Sequence, residues 1–148
     1  MNTNKRIPVD KAVSNSIEDT IRLARKWVER FLKNHSVGLK GELGVGKTVF
    51  VRGMVAALGG DINEVRSPTF TLMNIYGTNP VFYHFDLFRL DNPYDLDGIG
   101  FFDFIESSGT KAVEWPDKIE EAMDAMDFII EIRDNRKDPG SRVLNLLK

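Results

Sequence analysis

The chain has 148 residues, 42% of them hydrophobic and 28% charged, which is typical of a globular protein and excludes the composition of a disordered one. Twenty lysines and arginines stand against 22 aspartates and glutamates. The net charge of −2 argues against a surface built to neutralise the phosphates of DNA or other nucleic acid. The absence of cysteine excludes disulfides, thiolate catalysis and cysteine-ligated metal sites.

Hydropathy predicts no membrane association. The opening segment MNTNKRIPVDKAV lacks the apolar stretch of a signal peptide, and no later run approaches the roughly 20 apolar residues that span a bilayer. We therefore expect residues 1–148 to form one domain with one hydrophobic core, located in the cytoplasm.

The first predicted element is a helix over Ser16–Lys33. Ser16 is a suitable N-cap, and Asp19, three residues on, completes the S-x-x-[DE] form of a capping box. Apolar residues then recur at helical spacing and predict one inward stripe: Ile17, Ile21, Ala24, Val28 and Phe31. A short strand over Ser36–Lys40 should follow.

Later elements alternate between helix and strand, with hairpins toward the C-terminus. In chain order they are a helix from Lys47 to Gly59-Gly60, strands at Phe70–Tyr76 and Val81–Phe85, a helix at Asp95–Glu106, a strand at Ala112–Glu114 and a final hairpin of Phe128–Ile132 with Arg142–Leu147. This pattern predicts a three-layer α/β fold with a mixed, partly antiparallel sheet and a C-terminal hairpin.

Residues Gly41–Thr48, GELGVGKT, satisfy the phosphate-loop pattern G-x-x-x-x-G-K-[ST] in full, between a predicted strand and a predicted helix. Glycines at 41, 44 and 46 should allow unusual dihedral angles and remove Cβ atoms where backbone N–H groups wrap a polyphosphate. Lys47 would supply a cation to the β- and γ-phosphates, and the Thr48 hydroxyl can ligate magnesium. The alternative, a glycine-rich turn that binds nothing, does not account for the full motif in this context. The predicted nucleotide-binding residues here are Gly41, Glu42, Leu43, Gly44, Val45, Gly46, Lys47, Thr48 and Val49.

Two acids follow apolar strands, where ligands gather in open α/β sheets. Asp86 follows the strand that ends at Phe85, and Glu114 follows Ala112-Val113. A phosphate-loop protein needs one such acid to hold magnesium, directly or through water. The residues alone leave open which acid ligates the metal and which orients water.

Four motifs occur in a distinctive order along the chain: GELGVGKT, SPTF at Ser67–Phe70, HFDLFRL at His84–Leu90 and EWP at Glu114–Pro116. In this order and approximate spacing they resemble the TsaE family (also called YjeE), small bacterial P-loop ATPases required for making threonylcarbamoyladenosine in tRNA. The resemblance extends from the first helix to the C-terminal hairpin. It implies an ATPase that uses ATP and Mg²⁺, works with the TsaD–TsaB heterodimer and meets tRNA through that complex.

The resemblance also assigns roles to residues. It implies that Thr48 and Glu114 hold magnesium, that Asp86 is the acid essential for hydrolysis, that Lys47 contacts the terminal phosphates and that Thr69 lies near the γ-phosphate. The remaining implied residues are Trp115, which would line the site, and Thr20 and Arg142, which would lie near the base.

Two other functions stay open. A small-molecule P-loop kinase would need an arginine-bearing lid, which only the stretch from Arg133 to Arg142 could supply. A nucleotide-gated binding module would use ATP or ADP to set its affinity for TsaD, with incidental hydrolysis. His84 shares a strand face with Asp86, and we expect it to be hydrogen bonded near the core rather than to relay protons.

Overall fold

The computed structural model describes residues 5–148, so the first four residues of the polar opening segment lie outside the described part. Seven strands form one sheet: β1 (Pro8–Ser14), β2 (Ser36–Lys40), β3 (Met73–Tyr76), β4 (Phe82–Asp86), β5 (Thr110–Glu114), β6 (Phe128–Asp134) and β7 (Arg142–Leu147). Five helices accompany them: α1 (Ile17–Trp27), α2 (Lys47–Ala57), α3 (Pro93–Gly98), α4 (Phe101–Glu106) and α5 (Glu120–Asp124). No helix within residues 5–148 is long and apolar enough to cross a bilayer.

The sheet is mixed, with strand order β1-β7-β6-β2-β5-β4-β3. Its four central strands, β6, β2, β5 and β4, run parallel, because helical crossovers return the chain to the same edge. Antiparallel strands flank this parallel centre on both sides. On one side β3 pairs with β4, and on the other β7 pairs with β6 and β1 pairs with β7. The predicted mixed sheet and C-terminal hairpin are confirmed.

Helices cover both faces of the sheet and give the predicted three layers. Successive strand residues point to opposite faces, so Val37 and Leu39 of β2 pack in the core under α1 and α2. Phe85 of β4 and Ile129 of β6 pack in the second core, with α3, α4 and α5. The carboxyl ends of the parallel strands therefore meet at one sheet edge, between these layers.

The first predicted helix is confirmed, but its C-terminal part is not α-helical. Ser16 Oγ accepts from the Asp19 N–H at 3.0 Å, and the Asp19 carboxylate accepts in return from the Asn15 N–H, one residue before the cap. After Trp27 the helix widens to π-helical turns over Val28–Leu32. The N-terminal strand β1 was not predicted, because it is an edge strand whose order comes from backbone pairing with β7, far away in the sequence.

Two predicted elements are wrong in extent. The strand at Phe70–Tyr76 begins only at Met73, because the preceding turn brings the Leu72 N–H to the Pro68 carbonyl and leaves Leu72 at φ +70°. The helix at Asp95–Glu106 is two helices, since Gly100 takes φ +70° between α3 and α4. The short helix α5 was not predicted.

Candidate functional site

The phosphate loop connects β2 to α2 and leaves open space above its backbone. Gly44 and Gly46 adopt φ +75° and +119°, and a Cβ added to either would meet no other atom within 4 Å. Both glycines line cavities, so this open space is where a ligand can approach the loop N–H groups. Gly41 is different: its added Cβ would lie 2.5 Å from the Ile132 carbonyl oxygen, so it is required for packing against β6 and not for an unusual dihedral angle.

Lys47 lies folded over the loop. Its Nζ donates to the Gly41 carbonyl at 2.5 Å and to the Glu42 carbonyl at 2.8 Å, and it lies 4.2 Å from the centre of the Trp115 ring. Burial lowers the pKa of Lys47, while the charges of Glu114 and Asp86 oppose that shift. The lysine is thus a confined cation at the loop, held by neutral carbonyls that a phosphate could replace.

The two predicted acids end adjacent strands and have different hydroxyl donors. Glu114 accepts from Thr48 Oγ1 at 3.2 Å and 3.3 Å, one distance for each carboxylate oxygen. Asp86 accepts from Thr69 Oγ1 at 2.7 Å and from Ser67 Oγ at 3.3 Å, and its other oxygen accepts from a backbone N–H. Both acids are buried, so their charges act in a weakly screened environment.

Magnesium fits the donor set at Thr48 and Glu114, because a hydroxyl and a carboxylate are the hard oxygen ligands that it prefers. Within residues 5–148 no cluster of three or more His, Asp or Glu side chains could hold a metal alone.

A cavity of about 390 Å³ gathers most of the predicted site above the loop. Its lining includes Leu43, Gly44, Gly46, Lys47, Thr48, Val49, Thr69, Asp86, Glu114 and Trp115. Sequence reasoning missed Arg52, which also lines it; the signal was its spacing of four residues from Thr48, which puts both on one face of α2. Gly41 and Glu42 instead contribute carbonyls that hold Lys47.

A second cavity, of about 350 Å³, adjoins the first across the loop, since Gly44, Gly46 and Val49 line both. Thr20 and Arg142 lie in its wall with Val45, so the residues predicted at the base end do meet beside the loop. Arg142 Nε donates to the Val45 carbonyl at 3.1 Å, which ties the C-terminal hairpin to the loop.

Ile17 also lines the second cavity and is 57% exposed, so its predicted inward orientation is wrong. It is the first residue of α1, and its side chain lies at the cavity beside the phosphate loop rather than in the core. The other stripe positions, from Ile21 to Phe31, are buried or half-buried as predicted.

His84 is fully buried and hydrogen bonded, as expected: its Nε2 lies 2.5 Å from a Glu114 oxygen. Trp115 takes φ +59° directly after Glu114, and its ring packs on Phe88 with 5.0 Å between ring centres. Trp115 and Phe88 both line the first cavity, so they form an aromatic wall beside the cation of Lys47.

Comparisons with known proteins agree with one another on the family. The family model described as "Threonylcarbamoyl adenosine biosynthesis protein TsaE" matches residues 14–143. The tRNA threonylcarbamoyladenosine biosynthesis protein TsaE of Haemophilus influenzae is 36% identical over 118 residues, covering 76% of this chain and 74% of that protein. The protein of the same name from Treponema pallidum is 35% identical, covering 83% of this chain and 90% of its own.

Among solved structures, YdiB of Bacillus subtilis matches with a TM-score of 0.71 and 22% sequence identity, covering 99% of this chain and 88% of that one. At this identity the likeness supports the fold alone. It is consistent with the mixed α/β sheet described above.

Proposed function

The chain belongs to the TsaE family of tRNA threonylcarbamoyladenosine biosynthesis proteins, and from this premise we propose that it is a magnesium-dependent ATPase acting as an auxiliary subunit in that pathway. One observation carries the proposal. The hydroxyl of Thr48, at the end of the phosphate loop, donates a hydrogen bond to Glu114, and Asp86 is the register partner of Glu114 on the neighbouring strand. This arrangement supplies a phosphate cradle, a metal-binding pair and a separate acid.

The chain's own residues divide the work of hydrolysis. Loop N–H groups and the N-terminus of α2 would hold the phosphates, and Lys47 would exchange its two carbonyl partners for phosphate oxygens. Thr48 and Glu114 would ligate magnesium, which when bound would neutralise charge on the transferred phosphoryl group. Asp86, oriented by hydroxyls at Thr69 and Ser67, would orient the attacking water and accept its proton.

ATP is the proposed ligand of the two adjoining cavities, since it is the nucleotide that the family resemblance implies. The first offers charged and hydrogen-bonding groups for phosphates, and the second offers Ile17, Thr20 and Arg142 for a nucleoside. The cavities meet at Gly44 and Gly46, so one molecule of ATP can occupy both.

Homologues of TsaD and TsaB are the proposed partners, in the cytoplasm, and tRNA is reached through them. Apolar side chains beside the site support a protein partner: Leu43 is 71% exposed and Phe70 is 84% exposed. The basic C-terminal hairpin gives less support to direct RNA contact, because Arg142 pairs with Asp134 at 2.9 Å.

Hydrolysis is favoured over phosphoryl transfer to a small molecule. A kinase lid would have to come from the stretch between Arg133 and Arg142, and Arg142 is instead bonded to the loop carbonyl of Val45. A search for phosphorylated metabolites alongside measured phosphate release separates the two reactions, because only hydrolysis yields free phosphate without a phosphorylated product.

The decisive experiment measures phosphate release from ATP by this chain alone and together with TsaD and TsaB homologues. We expect slow turnover alone and faster turnover with the partners, because a partner often completes the arrangement of water, acid and cation. Equal rates would contradict a coupled ATPase. Complex formation in ADP, ATP and a non-hydrolysable analogue then tests the binding-module alternative, and multiple-turnover tRNA modification with and without the chain tests its pathway role.

A further inference from the structure

A line of buried polar side chains leads from Glu114 away from the nucleotide cavity. His84 is 0% exposed; its Nε2 lies 2.5 Å from Glu114 Oε2, and its Nδ1 lies 3.2 Å from the Tyr76 hydroxyl. Tyr76 is 7% exposed, and its hydroxyl accepts from the Arg66 N–H at 3.3 Å. Neither His84 nor Tyr76 lines the first cavity, so neither contacts a ligand there.

The direction of each hydrogen bond follows from what each group can donate. An ionised Glu114 only accepts, so the proton in its contact with His84 must be on Nε2. In a neutral imidazole Nδ1 is then the acceptor, and it is the nearer of two acceptors for the Tyr76 O–H, at 3.2 Å against 3.3 Å for the Arg66 carbonyl oxygen. The Tyr76 oxygen still has a lone pair for the Arg66 N–H, so a Tyr76 hydroxyl that donates to Nδ1 satisfies each group in the line.

Glu114 is therefore held from two sides. Thr48 donates to it from the phosphate loop, and His84 donates from within the sheet. A carboxylate with a single donor can rotate about its terminal bond, whereas donors on both sides restrict that rotation. The far end of the line is the backbone of Arg66, directly before Ser67 and two residues before Pro68 in the segment that bonds Asp86.

We propose that His84 and Tyr76 are positioning residues that hold the Glu114 carboxylate in the orientation in which it shares magnesium with Thr48. This inference rests on the proposed function, because it takes Glu114 as a metal ligand. His84 acts through the Nε2 proton that it donates, and Tyr76 acts through the tautomer that its hydroxyl selects in His84.

The test measures binding of a fluorescent ADP analogue at increasing Mg²⁺ concentration, so it does not depend on turnover. His84→Leu should raise the Mg²⁺ concentration needed for half-maximal binding by roughly 10-fold to 100-fold, the usual effect of losing a group that orients a metal ligand. His84→Gln keeps an N–H donor near the position of Nε2 and should restore most of the loss. Tyr76→Phe should shift the requirement in the same direction as His84→Leu, but less.

The order of the variants separates positioning from packing. If His84 only filled space, leucine would be tolerated at least as well as a buried glutamine, and this order would overturn the proposal. Tyr83→Phe is the matched control, because Tyr83 is on the same strand and faces the opposite core. Its Mg²⁺ requirement should equal that of the wild-type protein.

A second measurement uses the wild-type protein and so does not depend on any variant folding. The chain has two histidines, and ¹⁵N spectra of both rings, with His35→Gln to assign them, report which nitrogen of His84 carries the proton. A proton on Nε2 supports the proposal, and a neutral ring protonated only on Nδ1 overturns it.

The outcomes also distinguish this inference from the function on which it rests. Wild-type protein that binds the ADP analogue equally well without Mg²⁺ overturns the metal role of Glu114, and the inference with it. A Mg²⁺ requirement that is the same in the wild-type protein, His84→Leu and Tyr76→Phe overturns the inference alone.

Discussion

Asp86 and Glu114 are register partners at the ends of two neighbouring parallel strands, β4 and β5. Both side chains are buried, and their position after apolar strands does not by itself distinguish them. Their donors do distinguish them, because Glu114 receives the Thr48 hydroxyl from the phosphate loop and Asp86 receives the hydroxyl of Thr69. Under the proposed function, these donors support Glu114 as the metal ligand and Asp86 as the acid that orients water.

Exchanging each acid for its amide should therefore have different effects. Glu114→Gln removes the charge of a metal ligand and should raise the Mg²⁺ requirement for nucleotide binding by more than about 10-fold. Asp86→Asn should leave that requirement unchanged and lower single-turnover hydrolysis by about 100-fold or more, since general-base catalysis contributes about that much. The opposite pattern would exchange the two assigned roles.

Lys47→Ala should abolish detectable binding of ATP and lower turnover by about 100-fold to 1000-fold, the usual effect of removing a donor that stabilises transition-state charge. Lys47 is the buried cation of the loop, and no other lysine lines the cavity within the part of the chain described here. Lys40→Ala, at the end of β2 in the same segment, is the control and should bind ATP normally. Titration calorimetry measures both variants, and normal binding by Lys47→Ala would contradict the site.

The nucleoside end can be tested separately from the phosphate end. Ile17→Ala removes an exposed apolar wall of the second cavity and should weaken ADP binding by about 5-fold to 30-fold, at about 0.8 kcal/mol for each CH₂ that the ligand covers. Binding of inorganic tripolyphosphate, which has no base, should not change. Ile75→Ala is the control, because Ile75 is 55% exposed and lies on β3, outside this cavity. An equal loss for both ligands would place the base elsewhere.

Much of this site was predictable because its signals are local. A glycine-rich loop between a strand and a helix has a fixed spacing in sequence, and acids that end apolar strands meet at one sheet edge. Lys47, Thr48, Asp86 and Glu114 accordingly lie together. Helix α1 was also predictable, because its N-cap residue and the helical spacing of its apolar residues indicate the same segment.

The features that sequence reasoning missed depend on contacts distant in sequence. Strand β1 is an edge strand ordered by pairing with β7, which lies more than 100 residues away in the chain. Asp86 and Glu114 accept hydrogen bonds from different hydroxyl groups, and those of Asp86 depend on where the segment at Ser67–Thr69 packs. Ile17 matches the helical period, but as the first residue of α1 it lies beside Gly44, Gly46 and Arg142, which are distant from it in sequence.

Asp10 should stabilise the fold in a pH-dependent way. The Lys11 N–H and then the Trp27 indole N–H hold the pKa of Asp10 below its usual 3.8. Because the folded-state pKa is the lower one, this stabilisation is complete above pH 3.8 and is lost as pH falls through the folded-state value. Asp10→Asn should lower the free energy of unfolding by less than about 1 kcal/mol near neutral pH, since the contact is partly solvated.

The difference between Asp10→Asn and the wild-type protein should shrink as urea-unfolding experiments are taken progressively below pH 3.8. Asp97→Asn, a change at an exposed aspartate of α3, is the control and should show little difference at any pH. A deficit in Asp10→Asn that persists undiminished in acid would show that packing, not charge, accounts for it.

Gly41 and Gly98 should respond oppositely to the same small substitution. An alanine Cβ at position 41 would lie 2.5 Å from the Ile132 carbonyl oxygen and 2.8 Å from a Val45 methyl group, so β6 and the loop would have to separate. Overpacking of this kind typically costs about 1–3 kcal/mol. Gly98 is the last residue of α3, and an added Cβ there meets nothing within 4 Å, so Gly98→Ala should stabilise by about 0.4–1 kcal/mol. Thermal unfolding of both variants measures whether each substitution lowers or raises the stability.

Since the displaced loop also binds phosphate in the proposed function, Gly41→Ala should weaken ATP binding as well, whereas Gly98→Ala should leave it unchanged. A stable Gly41→Ala with normal ATP affinity would show that the close approach of the loop to β6 is not required.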